Sequence, residues 1–134
     1  MPTASDVAYL DASALVKLVL EEPESAALRK ALRRWPRRAS SRIALVEVVR
    51  AVRRRAQAAE PLALRLFGGV VLLADDDHIL AAAAVLDPAG LRALDAVHLT
   101  SALRLGPGLA AFVSYDGRQL EAAEALGLPV TSPR

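Results

Sequence analysis

Short apolar runs that stop at an acidic residue alternate along this chain with stretches of helical spacing, and this alternation restricts the fold more than any other feature. Val7-Ala8-Tyr9-Leu10 closes on Asp11, and residues 110–114 close on Tyr115-Asp116. Residues 70–74 run into Asp75-Asp76-Asp77. Each run is short enough and apolar enough to be a strand buried on both faces. Residues 39–41 add a shorter candidate and residues 128–131 a closing edge strand. Between them, apolar positions recur at helical spacing over residues 12–20, 25–35, 43–59, 77–86, 94–105 and 119–126, with a further helix opened by Pro61 and ended by Gly68-Gly69. Pro36, Asp87-Pro88 and Gly106-Pro107-Gly108 punctuate the series. Strands that alternate with helices predict an α/β fold, a central and mostly parallel sheet of four or five strands with helices on both faces. In such a sheet, ligands sit beyond the carboxyl ends of the strands.

At 134 residues the chain is read as a single domain, 1–134, large enough to bury a real core. It contains no cysteine, which excludes disulfide scaffolds, thiolate zinc sites and cysteine nucleophiles. The longest apolar run, 79–86, is far below the roughly 18 residues that cross a bilayer. No basic segment precedes an apolar one at the N-terminus, so the expectation is a cytoplasmic protein without a membrane partner.

The formal net charge of +2 hides a segregation. From Arg29 to Arg55 eleven basic residues face one acid, Glu47; the rest of the chain carries six basic residues and fourteen acids. Fifteen of the 17 basic residues are Arg, whose planar fork suits phosphate and carboxylate alike. A nucleic-acid surface and a solvated helix face fit this belt equally well on composition alone.

Four acids stand at the ends or along the faces of separate elements: Asp11, Glu47, Asp95 and Asp116. Taken singly, Asp11, Asp95 and Asp116 read as helix or turn caps. Glu47 differs, being an acid set among Leu45, Val46, Val48 and Val49. Taken together, carboxylates from four segments repel one another unless a cation sits between them, and hard oxygen donors select Mg²⁺ or Mn²⁺. Such a site can bind and hydrolyse a phosphodiester with no thiol or catalytic imidazole.

These residues carry a family resemblance. Tyr9-Leu10-Asp11-Ala12-Ser13-Ala14-Leu15-Val16-Lys17 resembles the opening motif of PIN-domain proteins, and more narrowly that of the VapC-type ribonuclease toxins of type II toxin–antitoxin pairs. Leu45-Val46-Glu47-Val48 is similar to the family's second acidic segment, and Leu94-Asp95-Ala96-Val97-His98-Leu99 to its third. Val113-Ser114-Tyr115-Asp116, with Gly127-Leu128-Pro129-Val130 beyond, resembles the closing one. The motifs keep family order from about Tyr9 to Val130, and no acid of the pattern is missing. The resemblance implies a three-layer α/β/α sandwich, in-line RNA hydrolysis by a metal-activated water, a homodimer and a VapB-type antitoxin. It implies Asp11 and Asp95 as direct metal ligands, Asp116 as an additional one, and Glu47 as the base or as a residue supporting the site. Ser13 and Ser114 match small hydroxyl positions that order it.

Three other readings are open to the same residues. A catalytically idle PIN module would hold RNA or a protein; a metal-dependent nuclease or phosphatase would keep the acids and take another substrate; a DNA-binding regulator would use the arginines and leave the acids idle. Asp75-Asp76-Asp77 reads as a helix N-cap rather than a phosphoacceptor pocket, since Lys17 and Lys30 both come too early to serve one. His98 reads as a hydrogen-bonded packing residue rather than a metal ligand, and Trp35 as partly buried.

Overall fold

The computed structural model describes residues 6–134. Five strands, β1 (Val7–Leu10), β2 (Arg37–Ser41), β3 (Val71–Leu73), β4 (Leu109–Val113) and β5 (Val130–Thr131), form one all-parallel sheet in the order β3-β2-β1-β4-β5. Seven helices connect them: α1 (Ala12–Lys17) and α2 (Ser25–Leu32), α3 (Ile43–Ala56) and α4 (Glu60–Leu66), α5 (Asp77–Ala84) and α6 (Ala93–Leu103), then α7 (Gly117–Ala125). This is the expected α/β/α arrangement, with the higher of the two expected strand counts.

Residue alternation along the central strands divides the core. Ala8 and Leu10 of β1 pack with Ala111 and Val113 of β4 against residues of α1 to α4, among them Leu15, Leu28, Val48 and Val52. Tyr9 and Phe112 point to the other face and join Leu99, Ala102, Ala122 and Ala123 of α6 and α7. Tyr9 and Phe112 stack with ring centroids 5.5 Å apart. Both layers are therefore hydrophobic, as the non-alternating strands require.

The chain moves from β1 outward to β2 and β3, then returns to the opposite side of β1 to lay down β4 and β5. The strand order thus reverses between β1 and β4. At that point the loops leaving two adjacent strands part, and a crevice opens at the carboxyl edge. Asp11 follows β1 there, and Ser114, Tyr115 and Asp116 follow β4.

Helix ends differ from the periodicity for local reasons. The helix expected over 12–20 stops at Lys17 because the Ser25 hydroxyl donates to the Lys17 carbonyl at 2.7 Å and contacts that of Leu20 at 3.3 Å, pulling the next turn aside. The helix expected over 25–35 ends at Leu32, beyond which residues 33–35 close tight turns. The 43–59 pattern breaks at Ala56, whose backbone leaves the helical region (φ −157°, ψ 78°) and leads into a 3₁₀ turn, Gln57–Ala59. The second strand gains Arg37 and Arg38 over the expected 39–41; Arg37 is held by Asp6 at 2.8 Å. Trp35 is partly buried against the first core layer, as expected. No described helix is long and apolar enough to cross a membrane.

Candidate active site

Asp11 is the most buried of the four acids, 4 % exposed at the end of β1. Its Oδ1 accepts from the Ser13 hydroxyl at 2.6 Å and from the Ala14 amide at 3.1 Å, so it caps α1 as the bland reading of the sequence holds. Its Oδ2 accepts from the Ser114 hydroxyl at 2.5 Å. The two serines turn this cap into a junction. Ser13 Oγ accepts from the Tyr115 amide at 2.9 Å, and Ser114 Oγ from the Asp116 amide at 3.1 Å. Asp11 is thereby fixed to the segment that carries Asp116. Burial pushes the Asp11 carboxyl above the ordinary aspartate range, against the two serine hydrogen bonds, which favour its ionised form.

Asp95 sits in the first turn of α6. Its carboxyl is also raised, first by partial burial, then by the charge of Asp116, with a further contribution from Glu47. The charges of Asp116 and Glu47 therefore reach the Asp95 carboxyl. Asp116 caps α7, its Oδ1 accepting from the amides of Arg118 (3.0 Å) and Gln119 (3.4 Å).

Glu47 belongs to α3, on the first face of the sheet, yet its Oε1 accepts from His98 Nε2 of α6, on the second face, at 2.7 Å. The bond crosses the carboxyl edge of the sheet. His98 is 2 % exposed, and its Nδ1 lies 2.7 Å from the Tyr9 hydroxyl. That hydroxyl accepts from the Ser41 amide at 3.1 Å. Burial holds the Tyr9 phenol far above its usual range, so it keeps its proton and donates it to Nδ1. Nε2 then carries the hydrogen donated to Glu47. Sequence reading correctly gave His98 hydrogen bonds and packing, but missed that it and Tyr9 hold Glu47. The signal was present: Tyr9 shares a strand face with Asp11, and His98 shares a helix face with Asp95.

The Asp75-Asp76-Asp77 run divides its work between two helices. Asp76 caps α5 as expected, accepting from the Ile79 amide at 2.9 Å. Asp75 instead reaches across to α3, accepting from the Ile43 amide at 3.1 Å and the Ser41 hydroxyl at 2.5 Å. It anchors the helix that carries Glu47.

Among the described residues, no three carboxylate or imidazole side chains close into a ready-made metal cage. The donor set nevertheless fits a hard divalent cation. It offers oxygen from Asp11, Asp95 and Asp116, and the Asp95 carboxyl, raised first by partial burial, is raised further by the charge of Asp116, a repulsion that a cation relieves. Ions of the Mg²⁺ type keep several waters and bind through one or two carboxylates plus substrate phosphate, so a closed cage is not required.

Comparison with known proteins agrees with this fold. Residues 8–125 match the model of the PIN domain family. The chain is 44 % identical over 125 residues to ribonuclease VapC46 of Mycobacterium tuberculosis, covering 93 % of this chain and 96 % of the relative. It is 36 % identical over 130 residues to ribonuclease VapC47 of the same species, with the same coverage. Among solved structures, the Mycobacterium tuberculosis VapC20 toxin, described as cleaving the sarcin–ricin loop, superposes with a TM-score of 0.72 at 18 % identity over 90 % of this chain and 95 % of that one. A chain of VapBC2 from Rickettsia felis, bound to a DNA fragment from the promoter, also gives 0.72, at 13 % identity over 96 % and 99 %. With the motifs in order, the sheet topology and these similarities in hand, the chain belongs to the PIN-domain family and, within it, to the VapC ribonucleases.

Proposed function

We propose that this chain is a divalent-metal-dependent endoribonuclease, the toxin of a toxin–antitoxin pair, working in the cytoplasm with Mg²⁺ or Mn²⁺. The observation that carries the reading is the convergence of acids at the carboxyl edge where the strand order reverses: Asp11 is tied to the Asp116 segment through Ser13 and Ser114, and Asp95 lies within reach of the charges of Asp116 and Glu47. Similarity to relatives named ribonuclease VapC selects RNA among possible phosphodiesters. The VapBC2 structural neighbour supports an antitoxin of VapB type as the partner. A homodimer and a single domain over 1–134 complete the reading.

Asp11 and Asp95 would hold the cation, with Asp116 as an additional ligand. When bound, the cation supplies charge neutralisation and Lewis-acid polarisation of the scissile phosphate. Glu47 accepts the proton of the attacking water. His98 occupies Oε1, which leaves Oε2 for that water. The water oxygen forms the new bond to phosphorus, the bond to the leaving oxygen breaks, and that oxygen departs with a proton from solvent. Ser13 and Ser114 hold the Asp11 carboxylate in one orientation, so the ligand geometry is set before substrate arrives.

A direct test offers the purified protein single-stranded RNA, DNA of the same sequence and a nucleotide phosphomonoester, with and without chelator. Cleavage of RNA alone, abolished by chelator and restored by Mg²⁺ or Mn²⁺, is expected. Equal turnover of DNA or the monoester contradicts the assignment of substrate.

A further inference from the structure

The arginine belt is not uniform once its partners are assigned. Four of its members are neutralised by acids: Arg29 by Glu21 (3.1 Å), Arg37 by Asp6 (2.8 Å), Arg53 by Glu60 (3.3 Å) and Arg55 by Glu22 (3.0 Å). Arg50 and Arg54 pair with no carboxylate among the described residues, and both are exposed on α3. They stand three and seven residues beyond Glu47. At 100° per residue, both positions fall on the Glu47 side of the helix. From Glu47 to Arg54 the stripe extends about 10 Å along the helix axis.

Arg50, Arg53, Arg54 and Gln57 line an open recess of about 350 Å³. No apolar side chain lines it. Protein partners bury an apolar centre with a polar rim, whereas a recess walled by guanidinium and amide groups suits a chain of fixed negative charges. A second basic recess contains Lys30, Arg33, Arg34 and Arg134. It is lined by α2 and the residues just after it together with Pro133 and Arg134 beyond β5, away from the helix that carries Glu47.

Resting on the reading that the chain cleaves RNA, we propose that the Arg50–Arg54 stripe of α3 seats backbone phosphates of the RNA strand flanking the cleaved bond. A strand whose reacting phosphate meets Glu47 continues along the same helix face onto Arg50 and then Arg54. The contacts are to phosphate, so they supply affinity and register without choosing bases.

The test measures binding of a fluorescein-labelled single-stranded RNA to the full chain in chelator, by anisotropy over a range of salt. The R50Q/R54Q variant is compared with wild type and with R33Q/R34Q. Each phosphate contact in a single strand adds about 0.7 to the slope of log K against log salt, so R50Q/R54Q is expected to lower the slope by about 1.4. R33Q/R34Q is expected to leave it unchanged. In cleavage assays with metal, R50Q/R54Q raises KM for that RNA and leaves kcat as in wild type. An unchanged slope in R50Q/R54Q overturns the proposal. So does a variant that loses binding to a polyglutamate probe while keeping its RNA slope, because the stripe then serves an acidic protein. Failure of the wild type to cleave any RNA would strike the functional reading, while the binding slopes still decide the stripe.

Discussion

His98 Nε2 donates to Glu47 Oε1 across 2.7 Å, joining a helix on one face of the sheet to a helix on the other. The imidazole is in turn fixed from behind by Tyr9 at 2.7 Å, inside the second core layer. A solvent-facing acid is thereby given one position by a chain of buried groups. In the mechanism we propose, this arrangement would separate the carboxylate that takes the proton from those that would hold a cation.

Removing His98 should cost activity through Glu47. Partners one step behind a functional group are worth about 10–100-fold, and H98A is expected to lower kcat by that amount with little change in KM. E47Q is expected to lower kcat about 10²–10⁴-fold, the usual worth of a positioned general base. In the double variant H98A/E47Q the two losses should not add, since one residue acts through the other. Additive losses would separate His98 from Glu47.

Tyr9 carries both roles of a buried polar group. Y9F leaves the Ser41 amide and His98 Nδ1 without the hydroxyl, at a cost of about 1–3 kcal/mol. A fall in the chemical denaturation midpoint with unchanged m-value is expected, together with a kcat loss smaller than that of H98A. A Y9F protein as stable as wild type would remove the hydroxyl from the scheme.

Asp11 works against stability. Its folded carboxyl is raised by burial, so the folded state retains a proton that the unfolded chain releases above the ordinary value of 3.8. Stability must therefore fall as pH rises from that value through the raised folded one. In D11N this decline should vanish, and at neutral pH in chelator its Tm should equal or exceed that of wild type. Added Mg²⁺ should raise the wild-type Tm and leave that of D11N unmoved. A D11N protein that melts well below wild type would show that the carboxylate is a structural cap before anything else.

Asp75 couples the capping of α3 to the site. Loss of a side-chain cap costs about 1 kcal/mol, and D75A is expected to show this together with reduced kcat, because the first turns of α3 carry Glu47. D76A, which uncaps α5 and removes the exposed Arg104 ion pair (3.3 Å), should show a similar stability loss without the loss in kcat. Equal kcat in the two variants would dissociate Asp75 from Glu47.

Much of this was legible in the sequence because the relevant physics is local. The parallel sheet follows from apolar runs too uniform to face water, and the positions of Asp11 and Asp116 follow from where those runs stop. What stayed hidden depends on contacts between distant segments. Helix 12–20 lost its last turn to a serine eight residues beyond Lys17. The Asp75 cap on α3 spans 32 residues, and the Tyr9–His98 contact spans 89. No periodicity reports such pairings. Nor does composition distinguish Arg53, tied to Glu60, from Arg54 beside it, which has no acidic partner among the described residues.

In the function we propose, Asp11 and Asp95 make RNA cleavage depend on metal. This dependence is tested most directly by RNA cleavage with wild type, D11N and D95N, purified in parallel and each titrated with Mg²⁺ and Mn²⁺. Cleavage by wild type that needs the metal is expected, and none above the chelated background in either variant while both melt cooperatively. Cleavage by D11N or D95N at the wild-type rate, or metal-independent cleavage by wild type, would contradict it.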